Sequence, residues 1–148
     1  SEAKAYIDAY LSTYRGVAQY MDNIVKQAEK DGYVSTLYHR RRELADINAK
    51  NKVVQANAKR IALNTPIQGT AADIIKIAMV RVYQRLKKEN VDARLILQVH
   101  DELVIEEPEL QAPMISAMLK EEMQSAAELK VDLVVDVHIG KNWIAAKG

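Results

Sequence analysis

Residues 95–105 read Leu-Ile-Leu-Gln-Val-His-Asp-Glu-Leu-Val-Ile, two short apolar runs with Asp101 and Glu102 between them. Runs of this length, rich in β-branched residues and broken by acidic ones, suit two neighbouring strands joined by a tight turn better than one helix. The turn is then the chemical end. Two adjacent carboxylates held at a bend by a stiff apolar support can aim oxygens in one direction, and hard divalent cations such as Mg²⁺ bind oxygen clusters of that kind. The same residues also read as a solvated acidic turn, and His100 as a hydrogen-bonded structural histidine. The stretch alone does not choose between these readings.

A second set of polar residues lies upstream. Arg60, Asn64 and Gln68 recur every four positions. If the backbone stays helical through Pro66, each step rotates by only about 40° around the axis, so the three lie on one gently drifting stripe. Long hydrogen-bonding side chains in a row suit the minor groove of a duplex, whose base pairs present similar acceptors whatever the sequence. Gln68 has an alternative reading as the capping-box partner of Thr65. Arg40, Arg41 and Arg42 form a third candidate group, because guanidinium forks match phosphate oxygens. A solvated basic loop is the other reading of that triplet.

The elements that must position these residues follow from periodicity. Residues 2–14 and 17–30 each carry an apolar helical face, with Gly16 between them and Gly32 as the stop of the second, the pattern of a helical hairpin. Residues 33–39 read as a strand. Residues 50–63 form a helix with Val54, Ala58, Ile61 and Ala62 as its apolar stripe. Thr65-Pro66-Ile67-Gln68 predicts the start of a further helix, to residue 88, with Thr65 as N-cap and Pro66 at the first position. After the acidic hairpin, Glu106-Glu107-Pro108 breaks the chain, and Pro113 opens a helix to residue 129 whose methionines are core. Residues 131–139 alternate as a half-exposed or edge strand, and Trp143 is expected to pack beneath the sheet. The whole predicts an α+β domain, helices packed on a small antiparallel sheet with an acidic-tipped hairpin at its centre.

Composition narrows the function classes. At 148 residues and 49% hydrophobic content the chain can bury a real core as one unit. A net charge of +1 gives no global field toward nucleic acid, so any basic surface is local. The absence of cysteine excludes disulfides and thiolate metal sites. No apolar run approaches the roughly 20 residues of a membrane span. The chain opens at Ser1 within a helical pattern and without an initiator Met, as expected of a piece of something longer.

Three stretches together carry a family resemblance. Gln98-Val-His-Asp-Glu-Leu-Val104 resembles the last motif of the family A DNA polymerases. Asn64-Thr-Pro-Ile-Gln-Gly-Thr-Ala-Ala-Asp-Ile-Ile-Lys76 resembles their long palm-side helix, and Gly140-Lys-Asn-Trp143 their C-terminal ending. The resemblance implies the last part of a polymerase domain: residues 1–50 as a helical hairpin and basic loop at the base of the fingers, residues 51–148 as part of the palm. It assigns Asp101 as a catalytic metal ligand, Glu102 as an assistant at the metal, and His100 as a neighbour of the primer end. Arg60, Asn64 and Gln68 match template and primer contacts. It implies two Mg²⁺ ions, primer-template DNA and deoxynucleoside triphosphates as partners, no membrane, no obligate oligomer, and a bacterial cytoplasmic protein. The family's other catalytic aspartate and its nucleotide-binding fingers helix belong upstream of this stretch, and Asp132 and Asp136 do not substitute for that aspartate. His39 stands where the family usually has Gly, with Glu43 and Ala45 replacing an aromatic residue and a Pro.

The functional expectation is a template-directed DNA polymerase that adds deoxynucleotides by a two-metal mechanism, with this piece inactive alone. The alternatives are a non-catalytic fragment that binds duplex DNA, and a metal-dependent phosphoesterase using His100, Asp101 and Glu102.

Overall fold

The computed structural model describes residues 2–147 and is α+β, as expected, with helices and two small antiparallel sheets. It gathers into two compact units, Ser1–Thr70 and Ala71–Gly148. The division falls inside a helix whose first half contributes Ala58 and Ala62 to the core of the first unit.

In the first unit, α1 (Glu2–Thr13) and α2 (Arg15–Asp31) break at Tyr14, so Gly16 lies inside α2 and does not separate the helices. Gly32 ends α2 in the left-handed region at φ +78°, where the missing Cβ removes the steric penalty. The apolar face of α1 stays uncovered: Ile7, Tyr10 and Tyr14 are exposed, and the Tyr10 and Tyr14 rings meet at 4.8 Å between centroids, tilted by 46°. Helical periodicity names the face that seeks a partner; it does not supply one. Strand β1 (Tyr33–Ser35) pairs antiparallel with β2 (Arg41–Glu43), so the predicted strand at 33–39 is the first arm of a hairpin and the arginines begin its second. Ala28, Val34, Leu44, Ile47, Ala58 and Ala62 form the core, with Ile47 almost fully buried.

Helix α3 (Lys52–Lys88) runs unbroken through Pro66. The predicted helix start at Thr65 is therefore absent, and Thr65 is a buried interior residue. An interior proline removes one ladder hydrogen bond and costs about 3 kcal/mol. Strong apolar periodicity on both sides offsets that cost, with Ala58 and Ala62 buried before the proline and Ile75, Ala78, Val82 and Leu86 after it.

The second unit contains the expected hairpin, β3 (Arg94–Val99) antiparallel to β4 (Glu102–Glu106), with an irregularity in register between Leu95 and Leu97. A single 3₁₀ turn (Glu109–Gln111) leads into α4 (Ala112–Gln124), which ends before residue 129 with Ser125 as its cap. Met118 and Ile115 of α4 pack with Val82, Leu86 and Leu103, and Met123 lies against the same cluster, whereas Met114, expected in the core, is 52% exposed at the start of the helix. Residues 131–139 form no paired strand. Their alternation survives as half-buried Leu133, Val135 and Val137 between exposed neighbours, since a period of two fixes which side chains turn inward and not whether a partner edge is present. Trp143 opens α5 (Trp143–Ala146), is 42% exposed, and lies beneath the Lys147 ammonium, not beneath a sheet. Asn142 caps α5 by accepting from the Ala145 N–H at 2.9 Å.

Candidate functional site

The β3–β4 hairpin closes over two residues, His100 and Asp101, with Val99 opposite Glu102. The tip is thus narrower than the sequence implied: Asp101 sits in the turn and Glu102 is already the first residue of β4. His100 takes φ +52° and Asp101 does not share that sign. A positive φ at the first of two loop residues follows the right-handed twist of the flanking strands, and Gly usually supplies it. A histidine there stores about 1–2 kcal/mol of backbone strain. The Gln98 side chain holds the bend, its Nε2 donating to the His100 carbonyl at 2.6 Å. Leu103 is buried and Leu95 and Ile105 pack on the same core, which anchors the hairpin while His100, Asp101 and Glu102 remain exposed.

Asp101 and Glu102 have no ion-pair partner among the described residues, so their oxygens are open to a cation. Mg²⁺ is commonly held by one or two carboxylates, with waters and substrate phosphates completing its shell. The donor chemistry of this pair fits that role. Among the described residues, no three His, Asp or Glu side chains are grouped to hold a metal ion, so the pair supplies part of a shell only.

The other candidates meet in the first unit. Arg60, Asn64 and Gln68 all lie in α3 and are all exposed, so the condition for a continuous stripe is met and the capping-box reading of Gln68 falls with the missing helix start. Arg60 Nη2 donates to Asn57 Oδ1 at 3.0 Å. Strand alternation divides the arginine triplet. Arg40 Nη2 donates to the Gly69 carbonyl at 3.0 Å and Arg42 Nη1 lies 3.5 Å from Thr65 Oγ1, each beside a residue of the stripe. Arg41 turns away and stacks over the Tyr33 ring at 4.5 Å.

The loop between β1 and β2 forms despite its departures from the family pattern. Thr36 accepts from the His39 N–H and donates its own N–H to the Arg40 carbonyl, both at 3.0 Å. His39 adopts φ +62°, the conformation that Gly would adopt there. This is a three-residue hairpin loop ending in a left-handed residue.

Sequence reasoning passed over Glu107. Its Oε2 is buried without a hydrogen-bond partner, and burial pushes its carboxyl above the ordinary value. It lines a groove with Asp92, Arg94, Glu106 and Pro108. An acidic residue just before a proline carries no sequence signal of burial.

Comparison with known proteins places these features in a family. Residues 1–145 match the profile described as "DNA polymerase family A". The chain is 50% identical over 146 residues to DNA polymerase I of Geobacillus stearothermophilus, and 49% identical to that of Bacillus caldotenax; each alignment covers 99% of this chain and 17% of the relative. The chain thus spans about a sixth of the length of these curated relatives. Its structure is similar to the POL domain of Pol1 from M. smegmatis, solved in complex with DNA primer-template and dNTP: TM-score 0.95, 44% identity, 99% of this chain and 26% of that one. Enzymes of this family use divalent metal ions. No helix among the described residues is long and apolar enough to cross a membrane. The chain, from the helical hairpin to the Gly-Lys-Asn-Trp ending, belongs to DNA polymerase family A.

Proposed function

We propose that the protein carrying this chain is a template-directed DNA polymerase that adds deoxynucleotides to a primer 3′-hydroxyl. The observation that carries this reading is an unpaired, exposed Asp101 on a strained, side-chain-braced hairpin tip, in a chain that matches the family over residues 1–145. Asp101 would ligate Mg²⁺ and Glu102 would assist. When bound, paired Mg²⁺ ions lower the pKa of the attacking hydroxyl and neutralise charge on the leaving pyrophosphate. The chain's own residues fix where that happens. Hairpin packing on Leu103 holds the carboxylates at one spot, and His100 borders the primer end. Arg60, Asn64 and Gln68 contact the duplex without reading its sequence. Arg40 and Arg42 meet phosphate oxygens, and Arg41, stacked on Tyr33, has the weakest claim of the three to such a contact. Residues 1–50 would form the base of the fingers and 51–148 part of the palm. The nucleotide site would lie mostly outside this chain, and the protein would work in the bacterial cytoplasm on nucleoid DNA.

The relatives' extra length and the incomplete donor set support the expectation that this chain alone is inactive. The test is primer extension with Mg²⁺ by the complete protein and, separately, by the 148-residue chain. Template-ordered extension by the first and none by the second is the expected outcome. Extension by the short chain, or none by the complete protein, rejects the reading. A second reading, duplex binding without catalysis, is favoured by the convergence of Arg40, Arg42 and the α3 stripe. The phosphoesterase alternative, using His100, Asp101 and Glu102, is separated by a phosphodiester hydrolysis assay with Mn²⁺, in which no activity is expected.

A further inference from the structure

The turn of the β1–β2 hairpin rests on α3 through contacts that the proposed duplex surface does not itself use. The Leu37 N–H donates to Thr70 Oγ1 at 2.9 Å, and that hydroxyl donates in turn to the Pro66 carbonyl at 2.5 Å. On the hairpin side, the Arg40 N–H donates to Thr36 Oγ1 at 3.2 Å, and Thr36 is only 4% exposed. A Cβ built at Gly69 would lie 2.7 Å from Thr36 Cγ2 and 3.3 Å from Arg40 Nη2. The first distance is one that folded proteins do not tolerate. Thr36 cannot easily give way, because a buried β-branched side chain is stiff at χ1 and rotation would break its bond to the Arg40 amide.

Gly69 is helical and has no positive φ, so its own backbone does not require glycine. In a helix interior glycine is disfavoured relative to alanine. The close approach of Thr36 accounts for a residue that the helix itself disfavours. The Thr70 hydroxyl bonds the carbonyl of Pro66 itself, so the hairpin lands on the turn that directly follows the proline gap in α3.

We propose that Gly69 and Thr70 are positioning residues. Together they seat the hairpin turn flat on α3, so that Arg40 and Arg42 stand at a fixed height beside Arg60, Asn64 and Gln68. The arginines and the stripe then act as one preformed phosphate- and groove-contacting surface. This inference rests on the duplex-binding part of the proposed function and adds the device that keeps the surface in register.

The test titrates labelled primer-template against the complete protein from low to moderate salt, comparing wild type with Gly69→Ala, Thr70→Val and Thr70→Ser. Amide exchange at Leu37 and kcat at saturating duplex are followed in parallel. Gly69→Ala and Thr70→Val are expected to weaken duplex binding several-fold and to flatten the slope of log K against log salt by about 1 or more, since a phosphate contact has been displaced. Leu37 should exchange faster in Thr70→Val, Thr70→Ser should restore both properties, and kcat should hold. Wild-type affinity and slope in both Gly69→Ala and Thr70→Val overturn the proposal, as does a loss that Thr70→Ser fails to restore. If wild type binds no duplex, the underlying reading fails. Unchanged Leu37 exchange in Thr70→Val rejects the seating itself, whatever the duplex result.

Discussion

At the scale of single residues, two histidines occupy backbone conformations that favour glycine, and they differ in what they gain. His39 at φ +62° closes a loop and His100 at φ +52° closes the acidic hairpin. Replacing His39 by Gly removes strain of about 1–2 kcal/mol but restores chain entropy to the unfolded state. A net gain of up to about 1 kcal/mol is therefore expected for His39→Gly in a urea titration; an unchanged or lower midpoint would contradict it. Glu107 makes a pH-dependent prediction. Its carboxyl is pushed up by burial, so its contribution to stability is present at low pH and is lost as pH rises through the folded-state value. Glu107→Gln should accordingly raise the melting temperature at pH 7, with the gain shrinking toward pH 4. A gain that is constant with pH would show that the charge is not the cause. The acidic pair and the arginines were legible as residue types in the sequence; the positive φ of His39 was foreshadowed only by its standing where the family usually has Gly, and that of His100 by nothing in the stretch around it.

Elements were legible where apolar periodicity was backed by packing, and failed where a local signal competed with it. Gly32 and the β3–β4 hairpin stand as read. Thr65-Pro66 carries every mark of a helix start and is none, because burial on both sides of the proline outweighs one missing hydrogen bond. Residues 131–139 show the converse case, a clean alternation without a paired neighbour. The two cores give this scale its prediction. Ile47 is 2% exposed in the first core and Ile115 is 2% exposed in the second. Truncating either to Ala should cost about 2–5 kcal/mol. Hydrogen exchange is expected to rise chiefly at amides within 1–70 for Ile47→Ala and within 71–148 for Ile115→Ala. Uniform acceleration in both variants would mean that the units do not unfold separately.

For the molecule as a whole, a net charge of +1 conceals a local cluster of arginines, which is why bulk composition gave no hint of the proposed nucleic-acid partner. The proposed surface arises only once strand alternation sends Arg40 and Arg42 toward α3 and Arg41 toward Tyr33. Duplex affinity of the complete protein should therefore fall as salt rises, and Arg42→Ala should lower the salt slope by about 1. Arg41→Ala should lower it less. Equal slopes for the two variants would contradict the division of the triplet.

The hairpin tip carries the central proposal, that Asp101 holds the metal at which nucleotides are added. Single-turnover nucleotide addition by the complete protein, wild type against Asp101→Ala, with primer-template affinity and melting temperature measured on the same samples, tests it most directly. The exposed position of Asp101 predicts unchanged melting and retained duplex affinity, with the rate of addition reduced by about 10²–10³-fold, the scale seen when one strong transition-state electrostatic contact is removed. A rate within tenfold of wild type, or a loss of rate that merely follows a loss of folding or of duplex binding, would contradict it.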